Sequence, residues 1–197
     1  VDFRTLVART RTHRRFRQDR PVSLETLRGL VDMARLAPSA ANKQPLKYVL
    51  INEAAPCAKI FAHLGWAAYL KDWAGPAEGE RPAAYVVVCG DKRVSSEWGC
   101  DHGFAIQNML LGAMDQGIAA CVLGAIKDRP GLHDELGLPD EIEVLLVVAF
   151  GEPGEEVAID ELGEDGNVRY WRDATGTHHV PKRSLAEIVV TENPEMN

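Results

Sequence analysis

The sequence predicts a single α/β-type layered domain, and three observations lead there. About four strand-like apolar segments alternate with helical ones along the 197 residues. An apolar fraction of 46% is enough for one core. No repeat or low-complexity tract interrupts the chain, so residues 1–197 are read as one domain.

Residues 2–9 read as a short helix with Phe3, Leu6 and Val7 on one side, and residues 9–20 follow as a connector. Ser23 is a good N-cap for a helix from Leu24 to Leu36, with Leu27, Leu30, Val31 and Ala34 at helical spacing and Pro38 to end it. Lys47 to Asn52 is strand-like. Ala54 to Leu64 is a second helical stretch anchored by Ile60, Phe61 and Leu64. Residues 65–83 begin as more helix and end as a Gly/Pro-rich loop. There Trp66 and Trp73 bracket Lys71, as the wall of a site or as a lid on the core. Ala84 to Cys89 is a buried strand. Residues 97–116 form the longest helix, where small residues (Gly103, Ala105, Gly112, Ala113) admit a close neighbour and Gly117 is the stop.

Ala119 to Gly124 is a short strand, and Pro130 opens a helix that Gly137 closes. Glu143 to Phe150 is the strongest strand. The chain is acidic and irregular from there to Gly166. Val168 to Trp171 and His178 to Val180 are short extended pieces, Ser184 caps a last helical turn, and residues 191–197 read as a frayed end.

Charge is unevenly placed. Residues 1–20 carry seven arginines and two acids, a balance of +5 within a chain of net −7. Arginine's forked donors suit phosphate, so this stretch reads as a specific anion site, or else as an arm paired with the protein's own carboxylates. With a pI near 5.4, nucleic-acid binding is not expected. The longest apolar run, Val144 to Phe150, is strand-sized, so no membrane span is expected, and the first twenty residues hold no apolar leader core. Cys57, Cys89, Cys100 and Cys121 fall on separate segments without a CxxC, which fits a reducing cytoplasm. The six histidines lack metal-ligand spacing, His178-His179 being a lone pair in a loop, and no metal is expected.

There is no GxGxxG after a strand, no GxxxxGK[ST] and no GxSxG. Yet a second basic cluster, Lys182-Arg183, stands far from the first. Two such clusters closing on one phosphate, without a dinucleotide motif, point to a mononucleotide such as FMN.

The segment RTHRRF (11–16) resembles the R-[ST]-x-R-x-F pattern of the FMN-dependent nitroreductase family, and APSAANKQP (37–45) is close to that family's A-P-S-[SA]-x-N-x-Q-P. GFAIQNMLLGAMDQG (103–117), ACVLGAI (120–126), FGEP (150–153) and PKR (181–183) follow in the family's order, so the likeness spans nearly the whole chain. It implies an α+β fold: a central, mostly antiparallel sheet flanked by helices, in an intertwined homodimer.

The resemblance also implies roles. Arg11 and Thr12 would hold the FMN phosphate with Arg183 and Lys182, and His13 would offer main chain at most. Arg14 would face the pyrimidine edge of the flavin, or else be a further phosphate contact or a surface ion pair. Pro38, Ser39 and Ala40 would reach the flavin from the other subunit. Asn42 and Gln44 would fix that turn or bind the ring edge, a plain Asx-turn being the other reading of Asn42. Val122, Leu123, Gly124 and Ala125 would direct main-chain N–H groups at the ring, or be an ordinary strand end. Lys71 is the candidate for a lysine on the pyrimidine side. Cys121 reads as a packed small residue rather than a redox thiol. The implied activity is ping-pong hydride transfer from NADH or NADPH, through FMN, to a nitroaromatic, quinone or similar small molecule, with no catalytic side chain required. The alternatives are dehalogenation or dehydrogenation on the same fold, or a non-catalytic flavin-binding module.

Overall fold

A computed structural model describes residues 1–192. Asp2 accepts from the N–H groups of Arg4 and Thr5 and so caps α1 (Phe3–Arg9). The short strand β1 (Phe16–Arg17) follows, and then α2 (Leu24–Arg35), where Ser23 accepts from the Thr26 N–H. A 3-10 turn (Ala40–Asn42) leads to β2 (Leu46–Ile51), α3 (Ala54–Ala62) and β3 (Ala84–Asp91). Next come α4 (Asp101–Asp115), β4 (Ala119–Leu123), α5 (Arg129–Glu135) and β5 (Ile142–Pro153). The last segment holds β6 (Val157–Glu161), β7 (Trp171–Arg172), β8 (His178–Lys182) and α6 (Leu185–Ile188).

The central sheet is antiparallel throughout. β3 lies between β2 and β5, pairing with β5 from Ala84 opposite Phe150 to Asp91 opposite Ile142 with a register shift between Val88 and Cys89, and β5 also pairs with β4 and β1. Every residue of β3 is buried, because helices cover both faces. Strand alternation splits the core in two. Tyr85, Val87 and Cys89 join Phe16, Ile60, Leu64 and Leu132 on the α3/α5 side. Ala84, Val86 and Val88 join Leu27, Leu30, Met109 and Phe150 on the α2/α4 side. The small residues of α4 serve that second layer: a Cβ at Gly112 would stand 2.3 Å from the Met33 sulfur of α2.

The elements differ from the sequence reading at four places. α3 stops at Ala62, and residues 65–83 hold no helix; Ala67 takes φ 39°, and Trp66 packs on the core with its ring tilted 34° against Phe61. α4 starts at Asp101, after Gly99 turns the chain with φ 46°. The connector contains β1, because Phe16 is a buried core side chain opposite Pro153. The acidic stretch after Gly151 contains β6, which pairs parallel with β8, while β7 pairs antiparallel. A partner strand supplied from residues 178–182 outweighs the weak local pattern of VAIDE. Of the expected frayed end, residues 193–197 lie outside the described residues.

Gly154 is where the chain leaves the central sheet for this small one. Its N–H donates to the Arg15 carbonyl at 3.0 Å, and a Cβ there would lie 2.8–2.9 Å from the Phe16 backbone.

Candidate functional site

The arginine segment lies along the outer side of β4. Thr12 forms a parallel bridge with Ala120, and the His13 N–H donates to the Ala120 carbonyl at 3.0 Å. The buried His13 ring turns back to the Arg11 carbonyl (2.9 Å), and burial lowers its pKa, so it stays a neutral N–H donor. Arg11 donates from Nη2 to the Val7 carbonyl at the end of α1 (2.9 Å). Its Nε is buried and has no partner among the described residues. Thr12 is exposed beside it, and the two line a cavity of about 50 Å³ with Leu110, Met114, Ala120 and Val122. Arg11, Thr12 and Val122 are thus brought together in one cavity.

Leu123 is a buried core residue, but Gly124 and Ala125 are exposed past the end of β4. Neither of their N–H groups meets an acceptor among the described residues, whereas their carbonyls accept from Ile126 and Gly65. Cys121 is buried and its thiol is pushed up to about 12 by burial, which suits a packed residue rather than a redox thiol.

The turn at residues 38–44 is a separate cluster. Ser39 donates to Asp101 Oδ2 at 2.6 Å, the Ala40 N–H donates to Oδ1 at 3.0 Å, and the Gln44 N–H donates to the Ser39 hydroxyl at 2.9 Å. Those bonds hold Ala41, Asn42 and Gln44 at φ between 50° and 54°, a left-handed conformation costly for residues other than glycine. Pro38, Ser39 and Gln44 line a cavity of about 170 Å³ with Tyr48, Asp101 and Ala105. Asn42 is exposed, and its main chain closes the turn: its N–H donates to Ser39, and its carbonyl accepts from the Gln44 side chain. At 1.5 Å per residue, Ala105 in this cavity and Met114 in the first are about 14 Å apart along α4. Within one chain the two clusters are therefore not one pocket.

Arg14 sits where the last segment meets the body. Its Nη1 donates to His178 Nε2 at 2.9 Å, and its guanidinium lies 4.3 Å from the centroid of the Tyr170 ring. Its N–H, like that of Arg15, donates to Glu155 Oε1. The Glu155 side chain is 1% exposed and pairs through Oε2 with Arg172 at 2.8 Å. Arg172 in turn stacks on Trp73 at 4.3 Å. His178 is fully buried, and burial, reinforced by Arg14, holds its pKa down at about 4.

Other expected residues are not gathered here. Lys182 ends β8 and Arg183 pairs with Glu187 at 3.3 Å, so neither meets Arg11 or Thr12. Lys71 is exposed in a turn after Leu70, with no ion pair among the described residues. Sequence reasoning missed Asp101, Glu155, Tyr170 and Arg172, which position the segments that it did find. His178 was read as part of a short extended piece, as β8 is, but also as half of a loop pair and with no role in seating Arg14. The available hints were an acid in the first turn of a helix and an arginine-rich stretch in need of anions.

Residues 7–152 match the model of the nitroreductase family. A provisionally named NADH dehydrogenase/NAD(P)H nitroreductase from Archaeoglobus fulgidus is 30% identical over 154 residues, 75% of this chain and 83% of its own. One with the same name from Methanothermobacter thermautotrophicus is 27% identical, over 78% of this chain and 79% of its own. Among solved structures, a provisionally named nitroreductase from Desulfovibrio desulfuricans in complex with FMN superimposes with a TM-score of 0.68 at 25% identity. The match covers 97% of this chain and 96% of that one. A Parabacteroides distasonis structure gives 0.62 at 28% identity, over 77% and 87%.

Proposed function

The chain belongs to the nitroreductase family, and from that premise we propose that it is an FMN-dependent oxidoreductase. It takes hydride from NADH or NADPH and passes it to an electron-poor small molecule such as a nitroaromatic or quinone. The observation that carries this reading is the meeting of Arg11 and Thr12 with the open end of β4. Along β4 stand an exposed hydroxyl and, without partners among the described residues, a buried arginine nitrogen and, past the strand's end, two main-chain N–H groups. Such an edge fits a phosphate joined to a polar ring.

In this reading Arg11 and Thr12 bind the phosphate, and Lys182 and Arg183 are the remaining candidates for its charge. Val122 and Leu123 flank the ring, while Gly124 and Ala125 donate N–H groups to its polar edge. When bound, FMN supplies a centre that accepts and returns hydride at N5. Arg14 places a fixed cation by the pyrimidine side, where charge develops on reduction. His178 accepts from Nη1 and leaves the other guanidinium donors free to turn toward the ring. Lys71 is a second candidate for that edge. Pro38, Ser39, Ala40, Asn42 and Gln44 close the site on a second copy, which the distance between the two cavities along α4 supports; the assembly is then a homodimer. No side chain need act as acid or base.

The test is the absorbance spectrum of purified protein, followed by anaerobic addition of NADH and of NADPH. Flavin bands that bleach with either nucleotide are expected, and Arg11→Gln should weaken FMN binding by about tenfold or more. Protein that stays colourless after incubation with FMN, or flavin that neither nucleotide reduces, would overturn the proposal.

A further inference from the structure

On the opposite face of the central sheet from Arg11 lies a cavity of about 170 Å³, between the side of α3 and the start of β3. Its polar lining is unusual. Tyr85 is 0% exposed, yet its hydroxyl has no hydrogen-bond partner among the described residues. A buried hydroxyl left so costs about 1–3 kcal/mol. Half-buried Arg81 lies beside it, 4.5 Å from the Phe61 ring centroid, with no ion pair and with its Nε unpartnered among the described residues. The neighbouring Glu80 is committed to Arg15 at 3.4 Å. No carboxylate lines the cavity among the described residues.

We propose that this cavity is a second ligand site, for a small organic carboxylate. Its oxygens would accept from the Arg81 guanidinium and the Tyr85 hydroxyl, and its apolar body would rest against Ala54, Cys57, Ala58 and Pro82. The two carboxylate oxygens meet donors, and the amides of Gln18 and Asn52 complete the polar part of the wall. Burial pushes the Tyr85 phenol well up, so it stays a donor at any working pH. An engineered cavity of about 150 Å³ holds benzene, so this one has room for a benzoate-sized molecule. Arg81 and Tyr85 match the two oxygens of a carboxylate, whereas inorganic phosphate has three or four to satisfy. The site is independent of the flavin reading, because its lining shares no residue with that edge.

The experiment uses FMN-saturated protein and titrates benzoate by calorimetry, with benzyl alcohol as the uncharged comparison. Benzoate should bind at least about tenfold more tightly than the alcohol. Arg81→Met should weaken it about tenfold, and Tyr85→Phe about fivefold. Tyr85→Phe deletes a single unpartnered oxygen, so the free protein should be as stable as wild type or more so. A crystal soaked in 4-bromobenzoate should place the bromine between α3 and Pro82. Benzoate affinity unchanged in both variants, bromine only elsewhere, or a lone water bridging Tyr85 and Arg81 under saturating benzoate would each overturn the proposal.

Discussion

β3 is buried along its whole length and β8 only at His178, and different forces seat them. β3 is enclosed along its whole length by aliphatic side chains from two helical layers. β8 and its two partners are tied to the body by the Glu155–Arg172 pair and by Arg14, layered with Tyr170 and His178. The body rests on apolar burial, which is indifferent to pH. The lobe rests on a few charged and aromatic groups, which are not. Arg14, assigned above to the flavin, stands on the border between the two, so its setting depends on the weaker region.

Four measurements would break or sharpen that contrast. Glu155→Ala should have the largest effect. It strands a buried guanidinium and frees the Arg14 and Arg15 N–H groups, at about 3–5 kcal/mol. Hydrogen exchange should rise through residues 157–182 while β3 and β5 keep their protection; equal loosening in both regions would dissolve the distinction. Met109→Ala, inside the α2/α4 layer, should cost about 2–5 kcal/mol, read as a lower denaturant midpoint for the whole molecule.

Acid comes next. His178 has its pKa depressed from 6.5 to about 4, so the unfolded chain binds the extra proton first. Its contribution is complete above about pH 6.5 and drains away as pH falls toward 4, on the order of 2–3 kcal/mol in all. Tyr170 or Trp73 fluorescence should change over that interval, and His178→Phe should flatten it. The adjacent His179 works in the reverse sense. Asp160, and then Asp173, raise its pKa, so its contribution is present at low pH and lost as pH rises. Lys59→Ala should matter least. It breaks a pair of the same chemistry as Glu155–Arg172, at 2.7 Å to Glu135, but in solvent, and should cost under about 0.5 kcal/mol.

The border was the hardest part to foresee from residues alone. The body was legible because period and capping are local: Ser23 begins α2 as expected, and β3 is the continuous apolar run that two covered faces require. The family pattern singled out Arg11, Thr12 and Val122, and these three line one cavity. Glu155 gave no sign, because one acid among many carries no mark of which arginine it will meet some 140 residues away. Asp101 was hidden in the same way. The turn that it holds reads as polar loop until the carboxylate is seen beneath Ser39 and Ala40. β1 and β6 were invisible because short strands take their identity from partners distant in sequence.

At Gly154 the absence of a side chain serves contact rather than looseness. With the Phe16 backbone filling the space where a methyl would go, the crossing is a fixed pivot. Adding one carbon there would push on Phe16, and Phe16 is next to Arg15 and two residues from Arg14. A single alanine would thus tilt the seat of the terminal lobe and shift the cation above Tyr170 in the same motion, so this joint couples the tail's position to that of Arg14.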